Sequence, residues 1–330
     1  MNSCVLSRRP LKSKDEQSSQ QSVIAIVGPT AVGKSELALH LARHFPLEII
    51  SADSRQVYRY MDIGTNKPSL AERELVPHHI IDLVDPDEDF SLATYHQLAF
   101  EALKVIQQKG KLPLLVGGTG LYVWSLMEGW KIPQVPPDRE TRRRLETRAK
   151  QEDAQSIYRE LQNIDPVAAA KMDPRNIRRV VRALEIYYAT GQPPSRLQRK
   201  EEPSFPVLVI GLTQERSQLY RRIDARADRM MRQGLVEEVR QLLEKGYGPL
   251  LPSMSGIGYK QIVQFVRGEM TLPEAVDKMK HETHRLARHQ YAWFRLNDSR
   301  IRWFGATETK GKASIVAMDG IKALIDAFIS

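Results

Sequence analysis

Apolar residues along the chain fall into two alternating rhythms. Val23-Ile24-Ala25-Ile26-Val27 is an uninterrupted apolar run, the pattern of a strand covered on both faces. A Gly-rich stretch follows, then an amphipathic pattern over residues 34–44. Apolar runs at 47–50, 79–84 and 112–116 predict further strands. Between the last two, a helical period predicts a helix over 92–108, with Ser91 to cap its start and Gly110 to end it. Strands alternating with helices imply an α/β fold built on a doubly wound parallel sheet.

The rhythm changes after Leu121. Pro133, Pro136 and Pro137 interrupt the chain, and residues 139–188 then read as several helices without a strand, closed by Gly191-Gln192-Pro193-Pro194. Strand character returns at 207–210 and 301–304, with long helices around 215–245 and 272–296. The expected organisation is a disordered polar tail (1–21), a first core segment (22–125), a helical insertion (126–203) and a second core segment with C-terminal helices (204–330). No internal repeat is present.

Composition sharpens this picture. At 330 residues and 42% hydrophobic content the chain can bury a sizeable core. No apolar run approaches the roughly 18 residues of a membrane span, and the first twenty residues lack a signal-peptide core, so a protein neither membrane-embedded nor exported is expected. Cys4 is the single cysteine, which excludes an intrachain disulfide and fits the cytoplasm. The net charge is +9, and residues 126–200 supply most of it with 16 basic and 10 acidic residues. Arg175, Arg178 and Arg182 recur at helical spacing there, opposite Ile177, Val181 and Leu184. Such a stripe suits a polyanion such as nucleic acid, although on charge alone a solvated helical face explains it equally well.

The strongest chemical signal is Gly28-Pro29-Thr30-Ala31-Val32-Gly33-Lys34-Ser35, which fits the P-loop pattern and lies between a predicted strand and a predicted helix. Its backbone N–H groups can converge on phosphate oxygens, Lys34 can neutralise charge and Ser35 can ligate Mg²⁺. The loop leaves ATPase and kinase readings open. A mechanical ATPase is disfavoured because the strand at 112–116 ends in Gly117-Gly118-Thr119 rather than in an Asp. Asp53, just after the second strand, and Thr119 should face the same crevice as the P-loop, since parallel strands end on one side of the sheet. Either residue could instead serve a turn or a helix cap.

Seven ordered blocks carry a resemblance. They are GPTAVGKS (28–35), SADSRQVYRYMDIGTNKP (51–68), PHHIIDLVDPDEDFS (77–91), LLVGGTGLY (114–122), DPVAAAKMDPRNIRRVVRALEIY (165–187), RRIDARADRMMRQGLVEEV (221–239) and SGIGYKQ (255–261). Together they resemble the tRNA dimethylallyltransferases of the IPP transferase family. The resemblance implies transfer of a dimethylallyl group from dimethylallyl diphosphate to the N6 amine of the adenosine 3′-adjacent to the anticodon. It places the diphosphate in the P-loop, held by Thr30, Lys34, Arg226 and a Mg²⁺ ion on Ser35, with Asp53 as the base and Thr119 against the adenine. It assigns tRNA contacts to Asp53, Ser54, Arg55, Gln56, Thr119, Arg142, Arg178, Arg179, Val180, Val181, Arg182, Ser255, Gly256, Ile257, Gly258, Tyr259 and Lys260. The implied partner is the anticodon stem-loop, met by a monomer.

The chain departs from the family at His284 and His289, where basic residues are common. His281, Glu282, His284 and His289 do not have the spacing of a paired zinc motif, and Trp293 and Phe294 are expected in the core. Two other functions stay open at this point: a P-loop small-molecule kinase, and a prenyltransferase acting on free adenine nucleotide. The basic insertion is hard to motivate for either.

Overall fold

A computed structural model describes residues 22–309, 312–315 and 318–330. The tail read at 1–21 lies outside them. The first core segment contains β1 (Val23–Val27), α1 (Lys34–Leu41), β2 (Leu47–Ala52), α2 (Leu70–Leu75), β3 (His78–His79), α3 (Leu92–Gln108), β4 (Leu112–Gly117) and α4 (Gly120–Met127). The insertion runs through β5 (Trp130–Lys131), α5 (Arg139–Gln151), α6 (Ala154–Ile164), α7 (Pro166–Ala169), α8 (Ile177–Thr190), α9 (Pro194–Leu197) and β6 (Arg199–Lys200). The core resumes with β7 (Val207–Thr213), α10 (Arg216–Arg232), α11 (Leu235–Glu244), α12 (Tyr259–Val266), α13 (Leu272–Trp293), β8 (Ile301–Thr309), β9 (Lys312–Ile315) and α14 (Met318–Ile329).

The sheet order is β3-β2-β4-β1-β7-β8-β9, parallel except for the last strand, which returns antiparallel to β8. β1 lies between β4 and β7, so Ile24 pairs with Leu114 on one side and Leu208 on the other. Its side chains alternate between two cores, as the two-residue strand period requires. Val23, Ala25 and Val27 pack with Leu103, Ile106 and Val123, whereas Ile24 and Ile26 pack with Leu37, Leu41 and Ile223. This two-sided covering is why β1 reads as a continuous apolar run.

Ser91 caps α3 by accepting from Thr94 N–H. The strand expected at 79–84 shrinks to β3, because Ile80 and Asp82 take positive φ values of 62° and 57° and turn the backbone out of the sheet. There Asp82 accepts from Lys67 Nζ and Arg73 Nη1. The helical stretch around 215–245 is two helices, broken at Gly234 with φ 99°. The insertion has a separate apolar centre of Leu145, Ile157, Leu161, Val180, Val181 and Leu184, and the short antiparallel pair β5–β6 closes its base. No helix among the described residues is long and apolar enough to cross a membrane.

Candidate active site

The P-loop connects β1 to α1 on the central strand of the sheet. Gly28 sits at φ 139° with Leu212 O so near that a Cβ would come within 2.4 Å, so only glycine fits. Gly33, at φ 107°, opens α1 without a side-chain cap, which leaves the first amides of the helix for a ligand. Lys34 Nζ donates to Gly28 O (3.0 Å) and Pro29 O (2.8 Å), folding the lysine over its own loop. Ser35 is exposed at the first turn of α1.

Two further elements, α10 and the end of β2, bring charge to this loop. From α10, Arg226 Nη1 donates to Thr30 Oγ1 at 3.0 Å, and Arg222 Nε donates to Ala31 O at 2.8 Å. Burial lowers the Lys34 ammonium to about 7, Arg226 pushes it the same way and Asp53 opposes them. Burial also lowers Arg226 to about 10 against the pull of Asp53, so its guanidinium stays charged at neutral pH. Asp53 is thus within electrostatic reach of both cations.

The ends of β2 and β4 meet as the parallel topology requires. Thr119 is the residue before α4, but its hydroxyl makes no cap; Thr119 Oγ1 accepts from Ser54 N–H at 3.1 Å. Thr119 N–H donates to Ala52 O at 3.1 Å. Asp53 Oδ1 accepts from Arg55 N–H at 2.8 Å, a local turn that leaves its second oxygen for other work. Gln56 is anchored by Ser51 Oγ (2.9 Å) and by donation to Thr65 O and Asn66 O. Arg55 reaches the 252–255 turn, donating to Pro252 O at 2.7 Å and to Ser255 Oγ at 3.4 Å. The segments 53–56 and 255–260 are therefore neighbours. In the second of them Ser255 and Lys260 are exposed, Ile257 is half-buried, and Gly256, Gly258 and Tyr259 are buried.

The insertion residues form a second cluster away from the P-loop. Glu185, 1% exposed, accepts from Arg142 Nε (2.9 Å) and Arg182 Nη1 (2.5 Å), and Asp138 N–H donates to its Oε1 at 2.6 Å. Arg182 also donates to Val135 O. Val180 and Val181, expected against tRNA, have their side chains in the insertion's apolar centre at 0% and 2% exposure; of the two, the helical period had marked only Val181 as apolar. Arg178 and Arg179 are exposed.

At the C-terminal end of α13, Phe294 is fully buried, whereas Trp293, expected in the core, is 44% exposed. Its indole packs on Gly120 at the start of α4, where an added Cβ would come within 2.3 Å of it. His284 lies 2.8 Å from Asp224 and stacks on Tyr220, while His289 is exposed. No metal cluster of His, Cys, Asp and Glu exists among the described residues.

Two residues gain a place that the sequence did not reveal. Glu238 accepts from the N–H groups of Asp62, Ile63 and Gly64 and from Tyr259 Oη, fixing the loop that carries Thr65 and Asn66. Gln290 accepts from Thr30 N–H and donates to Gly118 O. Its signal was a polar residue one turn from buried Ala287 on α13 and from buried Phe294 at the helix end.

Comparison with known proteins places this arrangement. The family model described as IPP transferase matches residues 56–297. The chain is 50% identical over 289 residues to a tRNA dimethylallyltransferase of Thermomicrobium roseum, covering 88% of each chain. To that of Roseiflexus castenholzii it is 54% identical over 273 residues, 83% of this chain and 89% of the relative. Among solved structures it is similar to the full-length tRNA isopentenylpyrophosphate transferase of Bacillus halodurans. That match has a TM-score of 0.67 and 39% identity, and it covers 94% of this chain and 97% of the other. A eukaryotic dimethylallyltransferase acting on tRNA matches with a TM-score of 0.72 and 31% identity over 86% and 74% of the two chains. With most of its length matched in both sequence and fold, the chain belongs to the IPP transferase family.

Proposed function

We propose that this enzyme transfers a dimethylallyl group from dimethylallyl diphosphate to the N6 amine of the adenosine 3′-adjacent to the anticodon in tRNA, releasing diphosphate. The observation that carries the reading is one crevice holding a P-loop, two cations from different elements and a carboxylate. The P-loop amides, Lys34 and Arg226 bind the diphosphate, Lys34 leaving the loop carbonyls to do so. As the allylic C–O bond breaks, negative charge builds on the leaving oxygen, and these fixed donors stabilise it. Asp53 orients the N6 amine and takes its proton as the new C–N bond forms. Thr119 holds the adenine beside it.

The exposed Ser35 at the start of α1 fits a Mg²⁺ ion that takes its other ligands from phosphate oxygens and water, the usual way this ion is held. Bound there, Mg²⁺ supplies further charge neutralisation on the leaving group. Ser54, Arg55, Gln56, Ser255 and Lys260 lie round the entrance for the anticodon loop, and Arg178 and Arg179 extend the grip along the insertion. An adenine in a stacked loop must be extruded to reach such a crevice. Cytoplasmic tRNA is the proposed substrate pool.

The test is direct. Purified protein, Mg²⁺ and dimethylallyl diphosphate are incubated with an unmodified anticodon stem-loop, and the digested nucleosides are weighed by mass spectrometry. One adenosine should gain a dimethylallyl unit. Equal rates on AMP would favour the free-nucleotide reading, and phosphoryl transfer from ATP without prenylation would favour a kinase.

A further inference from the structure

Transfer between two separately bound substrates demands that the leaving-group cradle and the proton acceptor keep a fixed spacing. Reacting atoms must approach to about 3–3.5 Å, and a misplacement of about 1 Å costs on the order of 10²-fold in rate. The cradle is on β1, while Asp53 and Thr119 follow β2 and β4. These strands give way to turns, so the sheet alone does not fix the spacing beyond its last hydrogen bond.

A single buried side chain spans the gap. Gln290, 8% exposed, comes from α13, far from both loops in sequence. Its Oε1 accepts from Thr30 N–H at 2.7 Å, and its Nε2 donates to Gly118 O at 3.1 Å. Thr30 is the residue whose hydroxyl accepts from Arg226. Gly118 is followed by Thr119, which accepts from Ser54 N–H, the neighbour of Asp53. The linkage Arg226, Thr30, Gln290, Gly118, Thr119, Ser54 therefore runs without a break from the diphosphate cradle to the base.

The surroundings admit nothing looser. A Cβ on Gly118 would come within 2.1 Å of Gln290 Nε2 and would displace the amide. Buried Ala287 on α13 and buried Phe294 just past its end fix the side of the helix from which Gln290 projects, and Trp124 Nε1 donates to Trp293 O nearby at 3.0 Å. An apolar residue of equal size could fill the position but could not bond both loops. A carboxylate could accept from Thr30 N–H but would face Gly118 O without a proton.

We infer that Gln290 is a positioning residue that sets the distance between the diphosphate cradle and the adenine-binding turn. This rests on the transfer reaction proposed above and adds a residue to it. Gln290 acts through Thr30 and Gly118 and touches neither the departing diphosphate nor the N6 amine.

The test measures kcat and both KM values for Gln290→Leu with dimethylallyl diphosphate and an anticodon stem-loop, together with its melting temperature. A positioning role predicts a kcat lower by roughly 10- to 100-fold, with both KM values within about twofold of the parent. Gly118→Ala pushes the same amide from the other side and should lower kcat likewise. Combined with Gln290→Ala, it should add almost nothing to the loss caused by Gln290→Ala alone. If Gln290→Leu fails to fold, Gly118→Ala alone and in that combination carries the test. An unchanged kcat with a lower melting temperature would reduce Gln290 to a packing role and overturn the inference. A raised KM for RNA with kcat intact would make it an RNA contact and overturn it equally. A parent enzyme that prenylates no RNA would overturn the transfer reading itself, an outcome seen before any variant is made.

Discussion

The crevice and the helical insertion both collect positive charge, but they hold it in opposite ways. In the crevice, Lys34 and Arg226 bond to carbonyl and hydroxyl oxygens and feel Asp53 only at a distance, so their charge is directed at whatever enters. In the insertion, Arg142 and Arg182 are bound to buried Glu185, and Arg175 is paired with Asp173. Only part of the insertion's basic excess, Arg178 and Arg179 included, points outward unspent. Counting arginines along a helix therefore overstates the charge offered to RNA, and the difference between the two regions lies in where the carboxylates are buried.

The largest effect should come from the crevice. Asp53→Asn should lower transfer by about 10² to 10⁴-fold while donor binding, measured by titration calorimetry, stays intact. Full turnover in the variant would move the proton acceptor elsewhere and erase the contrast between a working carboxylate and a structural one.

Glu185→Gln tests the structural carboxylate. It should destabilise the insertion by about 1–3 kcal/mol, read as a lower melting transition. Burial alone would raise the Glu185 pKa, but hydrogen bonds from Arg182, Arg142 and Asp138 N–H outweigh it and hold the carboxyl below its ordinary range. Its stabilisation is therefore complete above the unfolded value near ~4.3 and is lost as pH falls through the lower folded value. The parent should lose stability over that acid window, and the Gln variant should lose less.

Lys34 gives a smaller, pH-dependent signal. With its ammonium at about 7, the charged form that attracts diphosphate disappears as pH rises. Donor affinity should fall from pH 6 to pH 8, by up to about tenfold per unit above 7. Lys34→Arg should stay flat over this range, because a guanidinium remains charged. A flat parent profile would mean that the lysine is not the group that meets the diphosphate.

The smallest effect separates the outward arginines from the tied ones. Arg178→Ala should flatten the dependence of log affinity for tRNA on log salt by up to about 0.9 with no change in melting. Arg182→Ala should lower the melting temperature as well, since it strips Glu185 of a partner. Identical behaviour of the two variants would dissolve the distinction.

Much of this was legible in the chain because the signals were local. The P-loop needs its residue types within eight positions, and β1 declares itself by five apolar residues in a row. The Ser91 cap is likewise a neighbour effect. The strand expected at 79–84 failed because its apolar residues concealed two positive-φ positions, which apolar periodicity does not register. Val181 carried opposite indications, apolar face by helical period and RNA contact by resemblance, and packing places its side chain, with that of Val180, in the insertion's core. The contacts of Gln290 and Glu238 escaped because their backbone partners lie 172 to 260 and 174 to 176 residues away along the chain, where only folding brings them together.

The order of strands also has a consequence for synthesis. β1 emerges early with β4 soon available on one edge, but its other neighbour, β7, is separated from it by about 180 residues, the whole insertion among them. At roughly 5 to 20 residues per second, that edge waits on the order of 10 to 40 s for its partner. During the wait a fully apolar strand presents free amides and carbonyls, the template for pairing with another nascent chain. The insertion can condense round Leu145, Leu161 and Leu184 in the same interval, so the ribosome delivers a finished helical unit before the sheet on either side of it is closed.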